Sequence, residues 1–351
     1  MLVGRGPQRA AIERALAAAA GGRSATLAFS GPPGIGKTAL LDHAAEHAQA
    51  RPLTLLRARG IESEAQIAFA SLLELLRPLL SLLDRLARPQ ATALEQAFAL
   101  RPGRSADRFA IGAATLGLVA AAAEEQPVLL LLDDVQWLDG PSAEALRFAL
   151  RRLEADPIAA LLAVREGHGS LLDDAGIETL TLTGLSAAQA RALRPDLPAA
   201  AAARLLDVTA GNPLALLELA PDADELTLAP AGAPVLLSAR ISAAYLRRAA
   251  ELGDEARSCL LLAATSESGD LTLLAQAARR LGLDAGALLA AEEAGLITIA
   301  PGSVEFQHPL VRSAVYSDAT LGARRRAHRA LAAVLPDHEL DRRAWHLAAA
   351  A

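Results

Sequence analysis

The chain has 351 residues, 52% of them hydrophobic, and a formal net charge of −6. That length accommodates two or three domains with sizeable cores. The apolar content excludes a disordered chain, and the acidic balance argues against a broad nucleic-acid surface. Ala and Leu supply the apolar surplus and only 3% of residues are aromatic, which favours helices. No apolar run approaches the roughly 20 residues that cross a bilayer. The nearest, Ile111 to Ala123, lies between Arg108 and Glu124 and reads as a core helix. The opening MLVGRGPQRA has no signal-peptide core, and Cys259, the only cysteine, permits neither an intrachain disulfide nor a cysteine zinc site. A cytoplasmic protein with no membrane partner is the expectation.

In chain order, Ala25 to Ser30 (ATLAFS) is a short apolar run, read as a buried strand. Gly31-Pro-Pro-Gly-Ile-Gly36-Lys37-Thr38 follows and fits G-x-x-x-x-G-K-[ST] at every fixed position; the helical pattern Ala39, Leu40, Leu41, Ala44, Ala45, Ala48 comes next. The motif therefore has the strand-before, helix-after context it needs. Gly31, Gly34 and Gly36 let the backbone turn tightly and aim N–H groups at phosphate oxygens, and the helix N-terminus adds partial positive charge. Lys37 is a compact cation for the β- and γ-phosphates, and Thr38 offers a hydroxyl to Mg²⁺. Ile35 and Ala39 complete the nucleotide-binding stretch. Of 34 basic residues Lys37 is the only lysine, which marks a place where arginine does not serve.

Leu53 to Leu56 reads as a strand, and residues 64–83 and 107–125 as helices separated by the breaker-rich LRPGRS (100–105). Val128 to Leu132 is an unbroken apolar run, as for a central parallel strand covered on both faces, and it ends in Asp133-Asp134. Carboxylates at such a strand end face the ligand crevice. Asp133 is the candidate Mg²⁺ anchor and Asp134 the candidate to polarise the attacking water; Asp in place of Glu implies slow turnover. Gln136, Trp137 and Asp139 follow, and Asp139 is read as a cap for the helix near Ser142 in preference to a catalytic role. Ile158 to Val164 is a further buried strand. Arg165 after it either faces the γ-phosphate or is a solvated strand-end arginine. Glu178 to Leu182 is a last strand.

These residues together resemble the signal-transduction ATPases with numerous domains (STAND), a branch of the AAA+-like P-loop class. They are most similar to the ATPase module of large LuxR-type bacterial transcriptional regulators of the MalT-like group; a related module accompanies soluble adenylyl cyclases. The resemblance runs through LVGRGPQRAAIERAL (2–16), SGPPGIGKTALL (30–41), VLLLLDDVQWLD (128–139), LLAVRE (161–166), TAGNPLALLEL (209–219) and FQHPLVRSAVY (306–316). It implies that Val3, Gly4 and Arg5 lie near the adenine. It implies that Gly211, Asn212 and Pro213 open a lid helix with Pro213 near the base. It also implies that His308 touches the β-phosphate in a closed ADP state, whereas His308 before Pro309 also reads as a structural loop residue.

The organisation expected is an α/β P-loop NTPase domain (parallel sheet flanked by helices) over 1–184 and a helical lid with linker over 185–234, where PDADELTLAPAGAP (221–234) is the linker. A winged-helix-like domain over 235–320 and the start of a tetratricopeptide-like helical region over 321–351 complete it. One repeat cannot bury its own face, so a fragment of a longer regulator or a truncated relative is expected. In the winged helix, strands at Leu296–Ile299 and Val304–Gln307 flank the turn Pro301-Gly302. Its recognition-helix position, residues 283–296, carries Asp284, Glu292 and Glu293 and no basic residue, so direct DNA binding is not expected. Arg324 to Arg326 with Arg329 read as a solvated helix face. The function expected is an ATP/ADP- and Mg²⁺-dependent switch in transcriptional regulation, biased by an effector ligand or protein, with ATP-dependent self-association implied by the resemblance. Two alternatives stand beside it: an ADP-holding scaffold without turnover, and an AAA+ motor acting on protein or nucleic acid.

Overall fold

Alternation along the strands dictates the layering of the first half of the chain. The computed structural model describes residues 2–49, 51–102, 107–165, 176–218, 242, 246, 248–266, 268–336 and 338–351. The chain divides into two compact units, Met1–Thr183 and Gly184–Ala351.

In the first unit, β1 (Ala25–Gly31), β2 (Thr54–Arg59), β3 (Val128–Asp133), β4 (Ile158–Arg165) and β5 (Glu178–Thr181) form a sheet in the order β2-β3-β4-β1-β5, with every neighbouring pair parallel. Successive side chains of a strand point to opposite faces. Val128, Leu130 and Leu132 of β3 therefore enter one core with Ile158, Ala160 and Leu162 of β4. Leu129 and Leu131 enter the other with Ala159, Leu161 and Ala163. Both faces are covered, so these strands read as unbroken apolar runs. Helices α3 (Ala70–Leu76), α4 (Arg88–Ala97), α5 (Arg108–Ala123) and α6 (Gly140–Leu150) pack on the first face; α1 (Gly6–Ala20) and α2 (Lys37–Gln49) pack on the second.

One expected helix is broken up. In place of a continuous helix over 64–83 there is a 3₁₀ turn at Glu62–Glu64, a left-handed Phe69 (φ 64°), α3, and then 3₁₀ structure over Arg77–Arg85. Pro78 lies in the first turn of that 3₁₀ stretch and lacks the N–H an uninterrupted α-helix needs there. Helix α4 lies in a stretch for which the sequence reading names no element. The expected breaker LRPGRS falls partly outside the described residues.

In the second unit, α7 (Ala187–Leu193), α8 (Ala199–Thr209) and α9 (Pro213–Glu218) share a small core with Leu310 and Ala314 of α13 (Pro309–Asp318). A larger core unites α10 (Asp254–Thr265), α11 (Leu271–Arg280), α12 (Leu288–Glu293), α13 and α14 (Leu321–Ala332) with the hairpin β6 (Ile297–Ala300) and β7 (Ser303–Phe306). The hairpin pairs Ala300 with Ser303 across Pro301-Gly302, and Gly302 takes φ 85°, open to glycine and strained for other residues. In place of the recognition helix expected over 283–296 there is a 3₁₀ turn at Ala285–Ala287 followed by α12, and Glu292 accepts a hydrogen bond from Ile299 N–H at 2.7 Å. The final helix, α15 (Leu340–Ala349), buries His346 against His328 of α14, their Nδ1 atoms 2.8 Å apart, while Tyr316 Oη lies 2.8 Å from His328 Nε2. The expected linker 221–234 lies outside the described residues, and among the described residues no helix is long and apolar enough to cross a membrane.

Candidate phosphate-binding site

At the C-terminal edge of the sheet, β1 runs directly into the glycine-rich loop and the loop into α2. Gly34 and Gly36 take φ of 76° and 103°, a region that only glycine enters freely. The loop is held from behind. Arg5, almost wholly buried, donates from Nη2 to Ile35 O (2.8 Å) and from Nη1 to Thr183 O (2.9 Å), and burial lowers its pKa from the ordinary value. Its guanidinium is thus committed to two backbone carbonyls of the first unit. Val3 and Gly4 precede it, half-buried, and Ala39 is exposed in the first turn of α2. Lys37 is 7% exposed; its ammonium donates to Gly31 O (2.6 Å) and Pro32 O (2.9 Å), so the cation lies inside the loop curve.

The loop meets the end of β3. Thr38 Oγ1 donates to Asp133 Oδ1 at 3.3 Å, which brings together two residues 95 apart in sequence. Asp133 is 1% exposed, and burial, followed by the nearby Asp134 charge, raises its pKa. Its Oδ1 also accepts from Asp134 N–H (3.0 Å), but its Oδ2 is buried with no hydrogen-bond partner. An ionised oxygen left that way is unfavourable unless compensated by charge. A small divalent cation beside Thr38 and Asp133 would supply that compensation, and such a cation needs only one or two protein oxygens when phosphates complete its shell. The residues fit the ion.

Asp134 takes left-handed φ 48° and ψ 46°. Arg59, the last residue of β2, donates to its Oδ2 from Nη2 (2.9 Å) and Nε (3.2 Å), and this bond raises the Arg59 pKa. Gln136 Nε2 donates to its Oδ1 at 3.0 Å, and Gln136 Oε1 accepts from Arg165 N–H at 3.0 Å. The Arg165 guanidinium stands 6.0 Å from the centroid of the Trp137 ring. Sequence reading missed Arg59, for nothing near it marks the 75-residue contact, and it missed Gly60. A Cβ on Gly60 would lie 2.3 Å from Asp134 O and 2.8 Å from Leu138 N, so the turn after β3 packs against a residue with no side chain. Asp139, 1% exposed, accepts from Ser142 N–H (2.9 Å) as an N-cap of α6, and also from Phe69 N–H (2.8 Å) and Ser71 N–H (3.1 Å) at the start of α3. The cap is as expected; the second helix it holds is an addition.

Pro213 and His308 belong to the second unit. Gly211 has φ 69°, and a Cβ there would meet Leu185 O at 2.3 Å; Asn212 Oδ1 accepts from Leu214 N–H (3.1 Å) and Ala215 N–H (3.3 Å); Pro213 occupies the first helical position of α9. Each residue of the GNP triplet therefore has a local folding role. His308 caps α13 through Nδ1, which accepts from Leu310 N–H at 3.0 Å, and burial lowers its pKa.

Residues 1–164 match the family model of the AAA ATPase domain. No curated protein matches the chain. A Walker-type ATPase of Pyrococcus abyssi superposes with a TM-score of 0.51 at 12% identity, over 90% of this chain and 96% of that one, a likeness of fold. Two further solved structures superpose less well. One is a signal-transduction ATPase with numerous domains and a tetratricopeptide repeat sensor from Pyrococcus horikoshii (TM-score 0.38, 17% identity, 96% of this chain and 47% of that one). The other is a Cdc6 protein of Pyrobaculum aerophilum (TM-score 0.43, 14% identity, 90% and 94%). With its five-stranded parallel sheet and its phosphate loop, the first unit has the fold of a P-loop NTPase, and it matches the AAA ATPase domain over residues 1–164.

Proposed function

We propose that the chain is an ATP-binding, slowly hydrolysing signal-transduction ATPase that acts as a nucleotide-dependent switch in transcriptional regulation, of the kind found in LuxR-type regulators. The observation that carries the nucleotide part is the meeting of Lys37, Thr38 and the half-unsatisfied, buried Asp133. Gly31 to Ala39 bind the phosphates, with Lys37 swinging from the Gly31 and Pro32 carbonyls to the β- and γ-phosphates. Val3, Gly4 and Arg5 flank the base. Thr38 and Asp133 hold Mg²⁺, which when bound neutralises phosphate charge. In hydrolysis, a water oxygen forms a bond to the γ-phosphorus while the bond to the ADP oxygen breaks, and Asp134 orients the water and accepts its proton; Arg165 faces the γ-phosphate. Residues 185–234 serve as lid and linker, 235–320 as a winged-helix domain, and 321–351 as the beginning of a helical repeat. An effector biases this arrangement by differing in affinity for its ATP and ADP states.

Calorimetric titration of MgATP and MgADP tests the reading. Wild type should bind both, Lys37→Ala should lose at least tenfold in affinity, and Asp133→Ala should lose the Mg²⁺ dependence. Absence of binding by folded protein freed of co-purified ADP would sink it. A second reading, an ADP-holding scaffold, is favoured by one observation: both oxygens of Asp134 already have partners. Single-turnover hydrolysis separates the two.

A further inference from the structure

The ladder between β3 and β4 ends at Leu132 and Leu162. Beyond it the main chain of β3 turns away through left-handed Asp134, and the next link between the two strand ends is a side chain. Gln136 donates from Nε2 to Asp134 Oδ1 (3.0 Å) and accepts at Oε1 from Arg165 N–H (3.0 Å). This pair of contacts admits one orientation of the carboxamide. Flipped, its oxygen would face a carboxylate and its NH₂ would face an N–H, both repulsive.

Arg59 holds the other carboxylate oxygen, but its side chain is 60% exposed, and ion pairs made by solvent-exposed side chains fix a geometry only weakly. Gln136 is half-buried and fixed at both ends. We propose that Gln136 is a positioning residue that sets the direction of the Asp134 carboxylate and ties it to the backbone of Arg165, so that movement of the arginine-bearing strand end redirects the carboxylate. This rests on the reading above, in which Asp134 orients the water and Arg165 faces the γ-phosphate. It adds a physical route between them: one amide, with a hydrogen bond at each end, converts a shift of the β4 terminus into a rotation of the group that acts on water.

The experiment is MgATP hydrolysis, in steady state and single turnover, by the full chain and five variants. Gln136→Met keeps the length and removes both hydrogen bonds. It should lower kcat about tenfold with KM for ATP and affinity for ADP unchanged, the affinity serving as the check on folding. Arg165→Ala keeps the backbone N–H that bonds Gln136 but removes the guanidinium that faces the γ-phosphate, so it should lower kcat as well; the double variant Gln136→Met/Arg165→Ala should lose less than the product of the two single losses, because part of the arginine's influence passes through the amide. Gln136→Glu is the diagnostic variant: it keeps the size and the acceptor oxygen for Arg165 N–H but replaces the donor to Asp134 with an acceptor, so kcat should fall at least as far as in Gln136→Met with KM for ATP unchanged. A residue that merely fills space tolerates this near-isosteric change. Wild-type kcat in Gln136→Met, wild-type kcat in Gln136→Glu, or additive losses in the double variant would each overturn the proposal. Asp134→Asn tells the two levels apart. If it hydrolyses ATP at the wild-type rate, the role of Asp134 fails and the inference falls with it. If it is inactive while Gln136→Met is normal, the inference alone fails.

Discussion

Replacing Asp139 with alanine removes the acceptor for three backbone N–H groups on two helices. The bonds are 2.8 Å to Phe69, 3.1 Å to Ser71 and 2.9 Å to Ser142, and the carboxylate is 1% exposed, so water does not readily replace it. Loss of an N-cap costs about 1 kcal/mol, and each buried N–H left unpaired costs about 1–3 kcal/mol. Allowing for relaxation around the gap, the first unit should lose about 4 kcal/mol, a large part of the ~5–15 kcal/mol typical of a domain. With a urea m-value of about 2 kcal/mol/M, the midpoint falls by about 2 M. Asp139→Asn retains one acceptor oxygen and turns an NH₂ toward the other site, so it should fall between, near 2 kcal/mol. Urea titration followed by tryptophan fluorescence in a Trp345→Phe background reads this unit, because the remaining tryptophan, Trp137, lies in it. A loss below about 1 kcal/mol in Asp139→Ala, or equal losses in the two variants, would refute the double-cap argument. Loss of hydrolysis at unchanged stability would return Asp139 to the catalytic candidates.

Three further outcomes are expected. Gly60→Ala pushes a methyl group into Asp134 O and the turn after it, and should destabilise the first unit by roughly 1–3 kcal/mol and weaken MgATP more than ADP without metal, as calorimetry will read. Arg59→Ala frees Asp134 Oδ2 and should raise the single-turnover hydrolysis rate several-fold; a fall would mean that Arg59 supports the reaction. The second unit should be acid-labile. Burial lowers His328 to about 4 and His346 to about 3, so the unfolded chain, with histidines near 6.5, binds protons that the folded one does not. Stability from this pair is complete above pH 6.5 and is lost as pH falls toward 4; between pH 7 and 5 the loss should be about 2 kcal/mol per histidine. Unfolding monitored at Trp345 in a Trp137→Phe background measures it, and His346→Phe should lessen the slope.

The strands and the phosphate loop were legible because their causes are local. Leu129 and Leu130 go to opposite cores, and a strand buried on both faces has no polar position to interrupt the run. The P-loop declares itself through glycines that its backbone requires, and Asp139 declared its cap because Ser142 is three residues away. The segment after β2 was not legible for the opposite reason. The start of α3 is held by Asp139 from about 70 residues downstream, and Phe69 is carried into a left-handed conformation that no local preference suggests. Asp134 was legible as a strand-end carboxylate, but not its partners: Arg59 arrives from the neighbouring strand and Gln136 looks like part of a polar turn. Where the GNP triplet resembled a nucleotide contact, the structure adds a local reason for each residue, a close backbone approach, a cap and a first-turn proline.

The lone lysine has a practical consequence. A lysine-directed endoprotease has one bond to cut, between Lys37 and Thr38, in the first turn of α2. With the side chain 7% exposed and held against two loop carbonyls, cleavage requires that bond to become exposed, so the appearance of the fragment ending at Lys37 clocks opening at the loop, whether local or through unfolding of the unit. An acylating reagent for side-chain amines likewise has a single target. The protein thus carries its own site-specific reporter for occupancy of the phosphate loop, without any engineered label.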